Sequence, residues 1–117
     1  MLVGPDTFSA AIVTAAVLKD AGGARVVLAG DTMGDFAEFW SEGRDVQLPR
    51  SGIPVSTAMK KHNWEKACAD RDLCYWANTA FGPNGISLEP TLRVPVKFAD
   101  YAAGRDPVID AVLNDAR

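Results

Sequence analysis

A chain of 117 residues, 48% hydrophobic, 23% charged and 9% aromatic, has room for one domain with a single core and is far from the disordered and fibrous classes. Fifteen acidic against twelve basic residues give a formal charge of -3, and Lys60-Lys61 is the only adjacent basic pair, so there is no electrostatic footprint for nucleic acid. The longest strongly apolar stretch, Phe8 to Leu18, is well short of the about 20 residues that a membrane span requires.

Leu2-Val3 reads as the end of a buried strand, stopped by the turn Gly4-Pro5-Asp6. From Thr7 to Ala21 the chain lacks Gly and Pro, is rich in Ala and is apolar on nearly every face, which predicts a helix buried on all sides. Gly22-Gly23 ends it. Arg25 to Ala29, with Val26-Val27-Leu28 at its centre, suits a strand covered on both faces. Strand, helix and strand together predict a right-handed parallel βαβ unit.

After Gly30 the chain turns polar through Asp31-Thr32-Met33-Gly34-Asp35. Val46-Gln47-Leu48 and Ile53 to Met59, joined by Pro49-Arg50-Ser51-Gly52, read as two arms of a hairpin, expected to extend the sheet in antiparallel fashion. Pro54 places its strand at an edge or at a strand start. From Lys60 to Gly85 no periodicity survives, and the segment, with the turn Phe81-Gly82-Pro83-Asn84-Gly85, reads as a functional or stapled loop. Leu92 to Val96 suggests an extended stretch, and Phe98 to Ala103 a helical turn ended by Gly104. A last helix has Asp106 as N-cap and Pro107 at its first position.

Cys68 and Cys74, with five residues between them in a polar loop, either close a small disulfide ring or remain free thiols. A metal site is disfavoured, since His62 is the only histidine and four ligands are usual. A disulfide would imply an oxidising, extracytoplasmic compartment, periplasmic or secreted, although Met1-Leu2-Val3-Gly4 carries no export signal. Gly34, Gly43 and Gly52 do not form a phosphate-binding pattern, and no cofactor is expected.

The chemistry-bearing feature is Ser9, on the first turn of a helix that directly follows a strand and a Gly-Pro turn. Helix N-terminal N–H groups are unpaired there and can stabilise an anion, the geometry that nucleophile elbows exploit. The alternative is that Asp6, Thr7 or Ser9 simply caps the helix.

Gly4-Pro5-Asp6-Thr7-Phe8-Ser9-Ala10-Ala11, followed by the apolar helix and Arg25-Val26-Val27-Leu28-Ala29-Gly30-Asp31-Thr32-Met33-Gly34, resembles the catalytic-serine segment of the tail-specific (C-terminal processing) serine peptidases. Leu88-Glu89-Pro90-Thr91-Leu92-Arg93-Val94-Pro95 and Asp100 to Ile109 look like that family's closing pattern, so the resemblance spans nearly the whole chain. It implies an α/β fold, a partial crotonase-like βαβ core with an antiparallel hairpin extension and a C-terminal helix. It also implies a peptide or protein substrate, Ser9 as the nucleophile that forms an acyl-enzyme, and the N–H of Ala10 as one oxyanion donor.

In the family's commonest form a lysine about 25 residues after the serine is the general base; Asp35 stands at that position here. A carboxylate is a far weaker base than a neutral amine. Asp35 could instead orient a histidine, as triad acids do, and His62 is the candidate within this chain, unless it is a loop residue with no catalytic part. Trp40, Trp64, Tyr75, Trp76 and Phe81 could line a pocket for an apolar substrate side chain or pin the long loop to the body of the domain.

The family draws its second oxyanion donor, its substrate-binding strand and often a PDZ module from sequence upstream of the serine segment. The resemblance therefore implies an N-terminally incomplete catalytic domain that would self-associate when isolated. Two other readings are a catalytically inactive peptide-binding or interaction remnant of the fold and a crotonase-like acyl-CoA enzyme, the latter without a convincing adenine or pyrophosphate site.

Overall fold

The structure, a computed structural model, describes residues 1–82 and 85–115. The chain divides into two compact units, Met1–Phe36 with Ser87–Arg117, and Ala37–Ile86. It is mixed α/β, and among the described residues no helix is long and apolar enough to cross a membrane.

The first unit is built on a three-stranded parallel sheet. Strand β1 (Leu2–Val3) leads through the Gly-Pro turn to helix α1 (Ala10–Gly22), and the chain returns as β2 (Ala29–Gly30), parallel to β1 with Leu2 opposite Ala29 and Val3 opposite Gly30. The expected parallel βαβ unit is thus present, with shorter strands than the sequence suggested. Arg25 to Ala29 is not a strand throughout, since Gly23–Arg25 forms a 3-10 turn. Val26 is already extended, and the Lys19 ammonium donates to its carbonyl oxygen at 2.9 Å.

Gly30 has φ 135, and a Cβ there would overlap the Val3 carbonyl oxygen, so only glycine allows β1 and β2 to approach so closely.

Helix α1 buries only Ile12, Ala15 and Ala16; Phe8, Val17 and Leu18 are 59%, 46% and 44% exposed. This corrects the expectation of a helix covered on all sides. Within the unit, two-residue strands offer one narrow face to pack against, and Ile12, Ala15 and Ala16, at i, i+3 and i+4, are the positions that meet it.

We number the remaining elements in chain order. Strands β3 (Glu38–Ser41), β4 (Arg44–Gln47), β5 (Pro54–Thr57) and β6 (Lys60–Asn63) and helix α2 (Trp76–Phe81) belong to the second unit. Strand β7 (Leu92–Arg93) and helices α3 (Phe98–Ala102) and α4 (Pro107–Asp115) belong to the first. Strand β7 pairs in parallel with β2, giving the order β1-β2-β7. Helix α4 starts as expected, with Asp106 Oδ1 accepting from the N–H groups of Val108 and Ile109 at 3.0 and 3.1 Å. Val3, Ile12, Ala15, Ala16, Leu28, Ala29, Leu88 and Val108 form the core of this unit.

In the second unit the pairs are nested: β4 and β5 form the inner hairpin, with Val46 opposite Val55, and β3 and β6 pair around it, with Phe39 opposite His62. The hairpin is therefore present, and Pro54 begins its second strand. It does not extend the parallel sheet, because the antiparallel strands pair only with one another, as two separate two-stranded sheets.

The segment from Lys60 onward is also more regular than a loop, since it holds β6 and α2. Strand β6 gives no apolar alternation because its buried residues, His62 and Asn63, are polar. Asn63 is fastened by Asn78: its N–H donates to Asn78 Oδ1 at 3.2 Å, and Asn78 Nδ2 donates back to the Asn63 carbonyl oxygen at 2.9 Å. Buried amides paired in this way escape the desolvation cost of an unmatched polar group. The Phe81–Gly85 turn includes Pro83 and Asn84, which lie outside the described residues.

Candidate active site

Ser9 is the N-cap residue of α1, with φ 51 and ψ -119. L-residues with a side chain rarely occupy that region, and holding one there costs about 1–3 kcal/mol. A helix can be entered without such strain, so capping alone does not account for it. Nor does the Ser9 hydroxyl cap: α1 has no side-chain cap hydrogen bond. Thr7 is used elsewhere, its Oγ1 accepting from the Gly4 N–H at 3.0 Å within the turn, and the Thr7 N–H donates to the Gly4 carbonyl oxygen at 2.8 Å. The Gly4–Thr7 turn is closed twice, and the chain leaves it with Ser9 exposed.

The helix N-terminus beside the hydroxyl is open. The Ala11 N–H donates to the Phe8 carbonyl oxygen and the Ile12 N–H to that of Ser9, both at 3.0 Å, whereas the Ala10 N–H has no acceptor among the described residues. An oxygen that develops negative charge next to Ser9 Oγ would meet that free donor and the positive end of the helix dipole.

The loop after β2 is tied to this elbow. The Gly34 N–H donates to the Thr7 carbonyl oxygen at 3.1 Å, and a Cβ at Gly34 would overlap the carbonyl oxygen of Pro5. Arg93 on β7 anchors the same loop from the other side, donating to Thr32 Oγ1 at 3.1 Å with the Asp31 carboxylate 3.8 Å away. The sequence places Gly34 in the segment that resembles the family's serine segment and Arg93 in its closing pattern, without a role for either in the site. The Gly-x-x-x-Gly spacing of Gly30 and Gly34 was the signal available for the first; no local signal points to the second. Asp35, the next residue, spends its Oδ1 on the N–H of Phe36 at 2.8 Å. Among the described residues no side chain is hydrogen-bonded to Ser9 Oγ.

Ser9, Ala10 and Asp35 belong to the first unit; His62, Cys68 and Cys74 to the second. His62 is 3% exposed and lies flat between two rings, Phe39 and Tyr75, each with its centroid 4.5 Å away and with interplanar angles of 13° and 18°. Phe39 is its cross-strand partner, and Tyr75 reaches it because the Tyr75 N–H donates to the Lys61 carbonyl oxygen at 2.8 Å, on the other flank of β6. His62 Nδ1 accepts from Trp64 Nε1–H at 3.3 Å, which leaves the proton of the neutral ring on Nε2. Nε2 is buried without a hydrogen-bond partner, 3.8 Å from Glu42 Oε1. Burial pushes the His62 pKa down, and the Glu42 carboxylate opposes that only in part. This is the environment of a neutral core histidine.

Of the aromatic residues, Trp64 is buried and pins its segment, whereas Trp40, Trp76 and Phe81 are exposed. Cys68 and Cys74 are joined in a disulfide, with their Cα atoms 5.9 Å apart. Among the described residues no cluster of His, Cys, Asp and Glu could hold a metal ion. Comparisons of the chain with protein-family models, with curated proteins and with solved structures found no match.

Proposed function

We propose that Ser9 is the nucleophile of a serine hydrolase of the tail-specific peptidase type, on a partial crotonase-like core. The single observation that carries the reading is the strained, uncapped backbone of Ser9 at the strand-to-helix junction, which presents a hydroxyl beside an unpaired N–H. The parallel pairing of β1 and β2 around α1 is consistent with that core.

In this reading Ser9 Oγ attacks the carbonyl carbon of a peptide bond, and the resulting oxyanion accepts from the Ala10 N–H. Collapse expels the amine and leaves an ester on Ser9, which water then hydrolyses. A base must take the Ser9 proton and return it to the departing amine; no side chain among the described residues is hydrogen-bonded to Ser9 Oγ, and Asp35 Oδ1 accepts from the Phe36 N–H. The disulfide favours an oxidising compartment as the place of action.

A second reading is a binding remnant of the same fold. It is favoured by the absence of a hydrogen-bond partner for Ser9 Oγ among the described residues. A fluorophosphonate probe separates the two. Covalent labelling that maps to Ser9 and vanishes in Ser9→Ala is the expected result. A folded protein that stays unlabelled favours the remnant.

A further inference from the structure

The second unit holds a cavity of about 450 Å³ lined by Glu42, Lys60, Arg71, Tyr75, Trp76 and Thr79, with the buried Cys74 also on its wall. That volume falls within the range of small-molecule sites, which join apolar walls to a few polar groups. Tyr75 and Trp76, with ring centroids 5.7 Å apart, supply the apolar wall, and Trp76 is exposed at its mouth.

The charges are unequal. Lys60 Nζ donates to the Asp72 carbonyl oxygen, and the Arg71 guanidinium has no partner among the described residues. Against these two cations stands one carboxylate, Glu42, whose Oε1 is 3.8 Å from His62 Nε2, the buried side-chain donor left without a partner. The lining therefore holds two cations and one carboxylate, with Asp70 and Asp72 flanking Arg71 in the chain, and the unpaired guanidinium is suited to a planar, bidentate acceptor. Its scaffold is fixed: the Cys68–Cys74 disulfide and the Lys61–Leu73 and Tyr75–Lys61 backbone bonds, both 2.8 Å, hold the wall that carries Arg71, Tyr75 and Trp76.

We propose that this cavity binds a carboxylate that sits next to an aromatic group, Arg71 and Lys60 taking the carboxylate while Tyr75 and Trp76 cover the ring. Such a group occurs on small aromatic acids and on the free C-terminus of a peptide that ends in an aromatic residue. The site does not depend on the reading of Ser9.

The test is calorimetric titration of the full chain with N-acetylphenylalanine, N-acetylphenylalaninamide, and a pentapeptide ending in phenylalanine with either a free or an amidated C-terminus. Saturable binding of at least one carboxylate probe is expected, with the matching amide at least tenfold weaker. Binding by the acid alone assigns small aromatic acids, and binding by the peptide alone assigns peptide termini. Arg71→Ala and Trp76→Ala are expected to weaken the bound probe about tenfold each while melting as the parent does, since both residues are exposed. Absence of saturable binding by either carboxylate probe overturns the proposal. Equal binding of acid and amide also overturns it, and that comparison needs no variant to fold.

Discussion

The backbone amide of Gly34 donates to the carbonyl oxygen of Thr7 at 3.1 Å, which locks the loop leaving β2 to the chain two residues ahead of Ser9. The strained serine is thereby held from both sides, by the doubly closed Gly4–Thr7 turn and by this loop.

Gly34→Ala should loosen that lock. A Cβ at position 34 meets the backbone oxygen of Pro5, which cannot rotate away, and overpacking of this kind costs about 1–3 kcal/mol. Thermal denaturation should show the loss, and labelling at Ser9 by a fluorophosphonate should slow in the same variant.

Ser9 itself gives an unusual pair of substitutions. Replacement of a capping serine by alanine costs about 0.5–2 kcal/mol, but the Ser9 hydroxyl does not cap, so Ser9→Ala should stay within about 0.5 kcal/mol of the parent. Ser9→Gly relieves the positive φ and should stabilise the fold by about 1 kcal/mol, less the entropy that glycine adds to the unfolded chain. Denaturant titration of both variants decides the matter; a clear loss in Ser9→Ala would restore the capping reading.

His62 predicts a pH dependence. Its folded pKa lies below its ordinary value of 6.5, so the unfolded chain binds a proton first as the pH falls. Stability is full above about pH 6.5 and declines below it, down through the depressed folded pKa. His62→Phe, which keeps a flat ring between Phe39 and Tyr75, should remove this slope in melts recorded between pH 5 and 7. No other histidine in the chain can supply it.

Reduction of the disulfide should weaken the second unit. Opening the short ring between Cys68 and Cys74 frees unfolded-chain entropy worth about 2 kcal/mol on the loop-closure model. Melting with and without a reductant, and in the double Cys→Ser variant, should show the same downward shift. The binding of N-acetylphenylalanine should fall with it if Arg71 and Trp76 lose their fixed wall.

Much of the first unit was legible in the sequence, because its signals are local. Gly4-Pro5 stops a strand, Gly22-Gly23 closes a helix, and Asp106-Pro107 opens one; each acts through its own backbone preferences. The Val46–Val55 hairpin was legible for the same reason. Strand β6 was not, because Lys60-Lys61-His62-Asn63 has no strand-like pattern. It is held by partners distant in the chain, Phe39 and Tyr75 stacked on His62 and Asn78 bonded to Asn63. The face of α1 was misjudged because apolar residues report a capacity for burial, while the amount of cover depends on how much sheet is present. The strain at Ser9 could be suspected from the elbow pattern, but φ and ψ are tertiary facts.

The nesting of β4–β5 inside β3–β6 has a kinetic consequence. Closing the loop from Ser41 to Lys60 in one step would cost the entropy of the whole intervening chain, whereas pairing Val46 with Val55 first brings those ends together across a much shorter effective loop. The inner turn from Leu48 to Ile53 is therefore expected to nucleate the outer pair, with the histidine stack forming after it. Truncation of Val55 should slow refolding, whereas changes at His62 should speed unfolding and leave the refolding rate almost untouched, a contrast that stopped-flow chevrons would reveal.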